Sequence, residues 1–275
     1  MTKGFRIRDM EVSVGLSTVL DATNAPLSDL RVERLRLMDG TPEFRGSTDT
    51  RETVLHVLVG QCDIQVTWGG GQKRSFEKLG ERRDVFSGLP TTLVLGPNMS
   101  WTVSPARGAL DIAVASVPSP SPGLTEPTVI RPQDVRVHDI GEKHYARSVR
   151  EVIGGDGPAL RLRVGETINP TGKWSSWPHH DFHAHPDLAP KFEEVFLYFT
   201  KPGRGWGLQK RDGLFANLDP VDDVFVVRNG DASVMPLGDH PVVAGVDSSL
   251  LYIWFYISPI PKIYAKWAED IGGYA

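Results

Sequence analysis

The segment ETVLHVLVGQCDIQVTW, residues 52–68, consists of two runs of strand length that are separated by Gly60 and Gln61. Short runs rich in valine, leucine and isoleucine indicate β-strands when turn residues such as glycine separate them. Similar runs occupy the ranges 91–96, 110–117, 159–168, 194–200, 223–230, 232–238 and 249–258. The sequence therefore predicts an all-β protein, because short strands at regular spacing are typical of sandwiches and barrels.

Other parts of the chain refine this prediction. Residues 160–165 alternate between leucine or valine and arginine or glycine, which is the period of a half-buried strand. Residues 26–38 fit either a helix or a strand. The best candidate for a helix is the C-terminal segment 261–272, where Pro261 lies near the predicted start and Gly272 at the end.

The segment PSPSPGLTEPT, residues 118–128, divides the strand series in two. Because it is rich in proline and serine, we predict a linker there. The two halves are weakly similar, since a strand ends at Gly60 in one and at Gly230 in the other, and a Pro/Gly corner follows in each. We predict a duplicated barrel with a first barrel over 1–118, a linker over 119–130 and a second barrel over 131–275.

Composition excludes several classes of function. The chain has 275 residues, a net charge of -4 and a pI of about 6.1, which gives no basic surface for nucleic acid or for an anionic membrane. We find no apolar run long enough to span a bilayer and no signal peptide in the N-terminal residues. A single cysteine, Cys62, excludes an intramolecular disulfide framework. These features predict a cytoplasmic location.

The segment WPHHDFHAHPDLAPKFEEVF, residues 177–196, carries four of the eight histidines and is followed by a strand pattern. A further histidine, His240, lies in the corner VMPLGDHPVVAG, residues 234–245. Three imidazoles and one carboxylate, here Glu194, make a good site for a divalent ion of zinc, iron, nickel or manganese. The corresponding corner of the first half, LGPNMSW (95–101), contains no histidine. We therefore predict a metal in the second barrel alone.

Several segments resemble the 5-deoxy-glucuronate isomerase family of myo-inositol catabolism. They are VGETINPTGKWSSWPHH (164–180), FEEVFLYF (192–199), GWGLQ (205–209) and the range 222–245, with LVGQCDIQV (58–66) and FEKLGERRDVF (76–86) in the first half. The resemblance implies a bicupin, that is, two jelly-roll-type barrels in one chain with the metal in the C-terminal barrel. It also implies an aldose–ketose isomerase that converts 5-deoxy-glucuronate to 5-dehydro-2-deoxy-gluconate. A related bicupin isomerase acts on 4-deoxy-5-keto-uronates.

The resemblance assigns the metal ligands His180, Glu194 and His240, but the chain departs from the family at the second histidine. Phe182 occupies the position of that histidine and cannot bind a metal. We expect a one-residue bulge to bring His183 to the ion instead. The alternative is that the pair has moved to His183 and His185. We expect the neighbouring Glu193 to face solvent.

The reaction requires a proton to move from C2 to C1, and a metal that chelates both oxygens would stabilise the negative charge that develops. We predict Glu166 and Gln209 as catalytic residues. The candidates for the base are Glu166, His179, a non-ligating His183 or His185, and a metal-bound water. The charged residues Arg161, Arg163 and Lys173 are interpreted as surface groups, one of which could bind the carboxylate of the substrate.

Two other functions fit the same residues. Cupins with three histidines and a glutamate also include metal-dependent dioxygenases, and a non-catalytic cupin that binds a sugar acid is the third hypothesis. The expected partner is a small sugar acid, and a homodimer is the assembly that we consider.

Overall fold

The computed structural model describes residues 6–7, 13–106, 108–176 and 191–257. In the first half of the chain the strands are β1 (Arg6–Ile7), β2 (Gly15–Leu20), β3 (Arg31–Leu37), β4 (Phe44–Ser47), β5 (Arg51–Val59), β6 (Cys62–Trp68), β7 (Gln72–Leu79), β8 (Thr91–Leu95), β9 (Ser100–Pro105), β10 (Leu110–Pro118) and β11 (Thr128–Ile130). In the second half they are β12 (Arg136–Ile140), β13 (Arg147–Ile153), β14 (Leu162–Asn169), β15 (Trp174–Ser175), β16 (Glu193–Lys201), β17 (Trp206–Leu214), β18 (Pro220–Arg228), β19 (Ala232–Met235), β20 (Leu237–Asp239), β21 (Val242–Ala244) and β22 (Ser249–Ile257).

Two short 3-10 helices, Pro132–Asp134 and Lys143–Tyr145, accompany these strands. The prediction of an all-β bicupin is confirmed. The ambiguous segment 26–38 contains strand β3, and the predicted C-terminal helix at 261–272 lies outside the described residues. Within the described ranges, no helix is long and apolar enough to cross a membrane.

Each barrel is built from a large sheet and a small sheet in corresponding strand order, and the large sheet of the second barrel has one additional edge strand, β12. The large sheets run β11-β8-β5-β10-β3-β2 in the first barrel and β1-β19-β16-β22-β14-β13-β12 in the second. The small sheets run β4-β9-β6-β7 and β15-β21-β17-β18. Strand β5 therefore corresponds to β16, and not to β18 as the comparison of Gly60 with Gly230 suggested. The duplication is present, but the sequence comparison of the two halves matched strands that do not correspond in the structure.

The two barrels exchange short edge strands. Strand β1, from the start of the chain, pairs with β19 of the second barrel, and β11 pairs with β8 of the first. The segment 119–130 was predicted as a linker, and its last residues add a strand to the barrel that they leave. The boundaries 1–118, 119–130 and 131–275 stay a prediction, and these two strand pairings cross them.

The two large sheets pack face to face and form the centre of the molecule. Residues of one face, such as Val54 and Leu58 of β5 and Val195 and Leu197 of β16, belong to a single apolar cluster between the barrels. Residues of the opposite faces fill the two barrel interiors separately. Strands β14, β16 and β22 are consequently buried on both faces, so the expectation of a half-buried strand at 159–168 is wrong.

Two buried glutamates fasten the barrels to each other reciprocally. Glu52 of β5 accepts hydrogen bonds from the backbone N–H groups of residues 160–162, at 2.7 to 3.0 Å. Glu193 of β16 accepts hydrogen bonds from the backbone N–H groups of residues 28–30, at 2.7 to 3.1 Å. Glu193 is 2% exposed, so the expectation that it faces solvent is wrong. Buried carboxylates need such donors because an unsatisfied buried charge is costly.

Candidate active site

Two of the predicted metal ligands meet inside the second barrel. Glu194 is the second residue of β16, and its side chain lies on the face that fills the barrel interior, as does Phe196 two residues later. His240 lies between β20 and β21 on the facing small sheet. Both side chains are buried, and His240 Nε2 is 3.4 Å from Glu194 Oε2. Residues that are 46 positions apart in sequence are thus brought together by the packing of one sheet on the other.

The backbone before His240 requires a glycine. Gly238 has a φ of +138°, and a Cβ atom there would lie 2.3 Å from the carbonyl oxygen of Asp212 on β17. Strands β20 and β21 continue one register along β17, with Asp239 opposite Asp212 and Val242 opposite Gln209. Pro241 separates the two strands because it has no N–H group for the ladder. Gly238 and Pro241 therefore fix His240 opposite β17.

Gln209, which was predicted as a catalytic residue, contacts the backbone around His240 through its side-chain amide. Its side chain is buried, and Nε2 lies within hydrogen-bond distance of the carbonyl oxygens of Lys210, His240 and Pro241, at 2.7, 2.8 and 3.2 Å. The hydroxyl of Tyr198 donates a hydrogen bond of 2.8 Å to Gln209 Oε1, which fixes the orientation of the amide. Both ends of the amide are engaged, so the geometry gives Gln209 a role in positioning His240.

Burial controls the charges of the two predicted ligands, Glu194 and His240. Desolvation raises the pKa of Glu194 to about 8, and desolvation lowers the pKa of His240 to about 4. A neutral imidazole is the form that binds metals. The buried carboxylate is costly to ionise unless a cation lies beside it, and a metal ion would supply that charge.

The two described donors fit a divalent metal. Ligands that each lie ~2.1 Å from one ion are roughly 3.0 to 3.4 Å apart at the bond angles of octahedral or tetrahedral coordination. The observed separation of 3.4 Å falls in this range. Carboxylate oxygen and imidazole nitrogen are also the donor types that zinc, iron, nickel and manganese accept.

His180 and His183 lie outside the described residues, as do His179 and His185. Within the part of the chain that the structure describes, no group of three His, Cys, Asp or Glu side chains could hold a metal. The described strands on either side of the segment 177–190 are β15, which pairs with β21 directly after His240, and β16, which carries Glu194.

Glu166, predicted as a catalytic residue and as a candidate base, does not lie with Glu194 and His240. It faces the interface between the barrels, where it accepts contacts from Arg82 Nη2 at 2.7 Å, Arg150 Nη1 at 2.9 Å and His56 Nε2 at 3.0 Å. Burial would raise the pKa of Glu166, but the charge of Arg82 and the hydrogen bond of His56 outweigh it and hold that pKa well below its usual range. We therefore omit Glu166 from the proposed catalytic residues.

The three cations interpreted as surface groups differ from one another. Arg161 donates to Asp29 at 2.7 Å and to the carbonyl of Pro118, and Lys173 donates to the carbonyl of Lys143 at 2.5 Å. Arg163 is buried and donates to the carbonyls of Ala159 and Leu162. None of these contacts places a cation beside Glu194 and His240.

Aromatic rings form the wall that adjoins the two ligands. The ring of Phe196 lies 5.8 Å from that of His240 and 4.5 Å from that of Tyr252. The Tyr252 hydroxyl donates to Ser175 Oγ at 3.0 Å, and Asn169 Nδ2 donates to the same oxygen at 2.8 Å. Sequence reasoning missed Tyr198, Ser175 and Asn169, although alternate aromatic residues at 252, 254 and 256 were a signal for one inward face.

Comparisons with known proteins identify the family of the chain. Residues 11–272 match the KduI/IolB family. A relative from Bacillus velezensis, named 5-deoxy-glucuronate isomerase, is 28% identical over 260 residues, which cover 94% of this chain and 91% of the relative. A relative of the same name from Geobacillus kaustophilus is 30% identical over 203 residues, covering 73% of this chain and 70% of the relative.

Solved structures show the same fold. An IolB-like protein from Salmonella typhimurium LT2 superposes with a TM-score of 0.77 at 22% identity and covers 92% of both chains. The oxalate decarboxylase of Lactobacillus farciminis superposes with a TM-score of 0.65 at 10% identity, over 94% of this chain and 88% of that one. These likenesses support the two-barrel fold alone. With the family match over nearly all of its length, the chain belongs to the KduI/IolB family.

Proposed function

We propose that the chain is a metal-dependent isomerase that converts 5-deoxy-glucuronate to 5-dehydro-2-deoxy-gluconate in inositol catabolism. The observation that carries the proposal is the similarity, over 94% of the chain, to a protein named 5-deoxy-glucuronate isomerase. The buried pair of Glu194 and His240 inside the second barrel supports it, because small-molecule sites are enclosed and carry a few placed polar groups, and these two donors suit the proposed metal.

The proposed metal ligands are His180, His183, Glu194 and His240, and the ion is zinc, manganese, nickel or iron. When bound, a divalent ion supplies Lewis-acid stabilisation of negative charge on the two substrate oxygens. The residues of the chain must place those oxygens beside Glu194 and His240 and keep the corner at His240 rigid. Gln209 and Tyr198 do the second task through their hydrogen bonds.

The reaction is internally balanced. A proton leaves C2 and one is added at C1, while the hydroxyl proton on O2 is exchanged for one on O1, so no oxidant or reductant is consumed. A base must therefore lie within hydrogen-bond reach of C2. With Glu166 at the interface, the base candidates from the chain are His179, His185 and His183 where it is not a ligand. The ring of Phe196 packs against His240 and Tyr252 beside this region.

The test is turnover of 5-deoxy-glucuronate by purified protein, measured with and without oxygen. We expect isomerisation at equal rates in both conditions and no oxygen uptake. Oxygen consumption that is coupled to loss of the sugar would instead identify a dioxygenase. Binding of the sugar without turnover, by protein with its full metal content, would identify a non-catalytic cupin.

The metal assignment has its own test. We expect about one divalent ion per chain by elemental analysis, and its loss in His240→Ala. We further expect His183→Ala to lose the ion and His185→Ala to retain it, because the one-residue bulge that we expect after His180 would restore an inward direction to residue 183. Loss of the ion in both variants would show that the ligand pair is His183 and His185, and loss in His185→Ala alone would remove His183 from the ligand set.

The sugar acid as partner, the homodimer and the cytoplasmic location remain predictions. Light scattering of the purified protein measures the assembly directly, and a monomer mass would remove the homodimer from the proposal.

A further inference from the structure

Arg147 is a buried cation inside the second barrel. It is the first residue of β13 and precedes by two positions Val149, which belongs to the core of that barrel together with Tyr252 and Trp254. Arg150 lies on the opposite face of the same strand and contacts Glu166 at the interface. Arg147 is 5% exposed, so its guanidinium is largely removed from water.

The other arginines buried to this degree have partners that explain them. Arg34 pairs with Asp111, Arg211 with Asp223, and both Arg82 and Arg150 with Glu166. Arg163 donates to two carbonyl groups at the start of its own strand.

Arg147 differs because, among the described residues, its guanidinium makes one hydrogen bond, from Nη1 to the carbonyl of Tyr145 at 3.0 Å. A guanidinium has five N–H donors, so most of them remain for another group. Burial lowers the pKa of Arg147, although the Tyr252 and Tyr145 side chains oppose this shift. A carboxylate that entered the barrel would offset the cost of burying this charge, and arginine binds carboxylates through two parallel hydrogen bonds.

A second observation indicates a polar ligand in the same part of the barrel. Asn169 Oδ1 is buried and has no hydrogen-bond partner among the described residues. Its amide nitrogen donates to Ser175 Oγ, which also accepts from the Tyr252 hydroxyl. An unsatisfied buried acceptor is costly, and a hydroxyl group of a sugar is a donor that would satisfy it.

Arg147 and the metal ligands adjoin one continuous wall. Val149, two positions after Arg147, faces Thr167 on β14, and Thr167 faces Tyr252 on β22. The ring of Tyr252 packs on Phe196, and Phe196 packs on His240. Since Glu194 lies beside His240, a sugar acid could have its C1 and C2 oxygens at one end of this wall and its carboxylate at the other.

We propose that Arg147 binds the carboxylate of the acidic sugar and thereby selects acidic over neutral substrates. This inference rests on the proposed function, because it assigns a binding residue to the carboxylate end of the proposed substrate. The required chemistry is recognition only, and Arg147 takes no part in proton transfer.

The experiment compares 5-deoxy-glucuronate with its neutral analogue 5-deoxy-glucose, in which a CH2OH group replaces the carboxylate. We expect Arg147→Gln to lower kcat/KM for the acid by about 100-fold, since removing one partner of a buried charge pair has an effect of this size. The kcat/KM for the neutral sugar and the metal content should change little, so the preference for the acid disappears. Arg147→Lys, which keeps the charge but loses the bidentate geometry, should show a smaller loss on the acid.

Arg163→Gln is the matched control, because it removes another buried arginine of the same barrel and should retain the preference for the acid. An unchanged preference in folded Arg147→Gln, or in Arg147→Lys where the first variant does not fold, would overturn the inference. If the wild type does not isomerise 5-deoxy-glucuronate, the proposed function fails, and calorimetric binding of D-glucuronate then tests Arg147 alone. Binding to the wild type that is lost in Arg147→Gln supports the assignment, whereas equal binding, or none to the wild type, overturns it.

Discussion

The two barrels share one topology and differ in what fills them. The interior of the first is aliphatic to a large extent, with Leu55, Val57 and Ile112 at its centre. In the second barrel, the strand that corresponds to β5 places Phe196 and Tyr198 inside, opposite Tyr252. Tyrosine carries a hydroxyl on an apolar ring, so the second interior can pack and still present polar groups.

The two buried glutamates that join the barrels, Glu52 and Glu193, form two reciprocal clamps. These clamps allow a residue-by-residue comparison of β5 with β16. Because Glu52 and Glu193 make the same contacts with the opposite barrel, Thr53 corresponds to Glu194 and Val57 to Tyr198. The clamp is kept in both halves, while the next inward residue is a carboxylate in the second alone. The comparison shows that the contacts which join the barrels are present in both halves, whereas the proposed metal ligand Glu194 is present in the second half alone.

The largest effect is expected from Glu194, the inward residue that follows the clamp residue Glu193 in the second barrel. Glu194→Gln should lose the metal and reduce kcat/KM by about 1,000-fold or more, because a metal supplies several kcal/mol of charge stabilisation. Thr53→Val, the equivalent change in the first barrel, should keep both the metal and the activity. Elemental analysis and isomerase assays measure the two effects. A loss of metal in Thr53→Val would contradict the assignment of the site to the second barrel.

The interface between the barrels gives the next largest effect, on stability. Glu166→Gln removes the charge that Arg82 and Arg150 share, and breaking a buried ion pair costs about 3 to 5 kcal/mol. Because the pKa of Glu166 is depressed in the folded state, its contribution is fully present above the pKa of the unfolded chain, about 4.3, and is lost as pH falls toward the folded-state pKa. The difference in unfolding free energy between wild type and variant should therefore shrink below about pH 4.

Urea unfolding between pH 3 and 7 measures this difference. His56 is buried and its pKa is lowered by burial, but it is present in both proteins and so affects the comparison less than either protein alone. Activity per folded molecule should change little, since Glu166 faces away from Glu194. A loss of activity in well-folded Glu166→Gln would restore Glu166 as a catalytic candidate.

The two clamps should be of similar strength. Glu52→Ala and Glu193→Ala each leave three backbone N–H groups without their carboxylate, and each should lower the free energy of unfolding by about 3 kcal/mol. Activity should distinguish the two variants, because only Glu193 is adjacent to a proposed metal ligand, Glu194. Unfolding curves and assays at low temperature provide the measurement. Stability losses that differ by more than about 2 kcal/mol would show that the clamps are not equivalent.

The smallest effect is expected from changes to Gln209 and Tyr198, whose hydrogen bonds hold the backbone at His240. Gln209→Leu should weaken metal binding by about 10- to 100-fold, because groups that orient a ligand have effects of this size. Tyr198→Phe should have a smaller effect in the same direction. Gln65→Leu, an exposed glutamine on β6 of the first barrel, is the control and should not change the metal affinity. Metal titration with a competing chelator measures all three, and an unchanged affinity in Gln209→Leu would remove its positioning role.

The sequence by itself predicted the all-β fold, the duplication and the positions of the strands at the centre of the large sheets, and it singled out Glu194 and His240 as candidate ligands. Strand runs bounded by glycine and proline are local features, and the corner at 236–242 depends on the backbone properties of Gly238 and Pro241. These signals do not require knowledge of which surfaces meet.

Only the tertiary structure decided which face of each strand enters a barrel. Strands β14, β16 and β22 lie between a barrel interior and the other barrel, so both faces are buried and the alternation that would distinguish them is weak. For this reason the sequence did not predict the contacts of Glu166, which binds arginines, or of Glu193, which accepts backbone hydrogen bonds from the other barrel. The same reason hid Arg147, because its burial depends on a sheet whose second face is covered by residues far away in the chain.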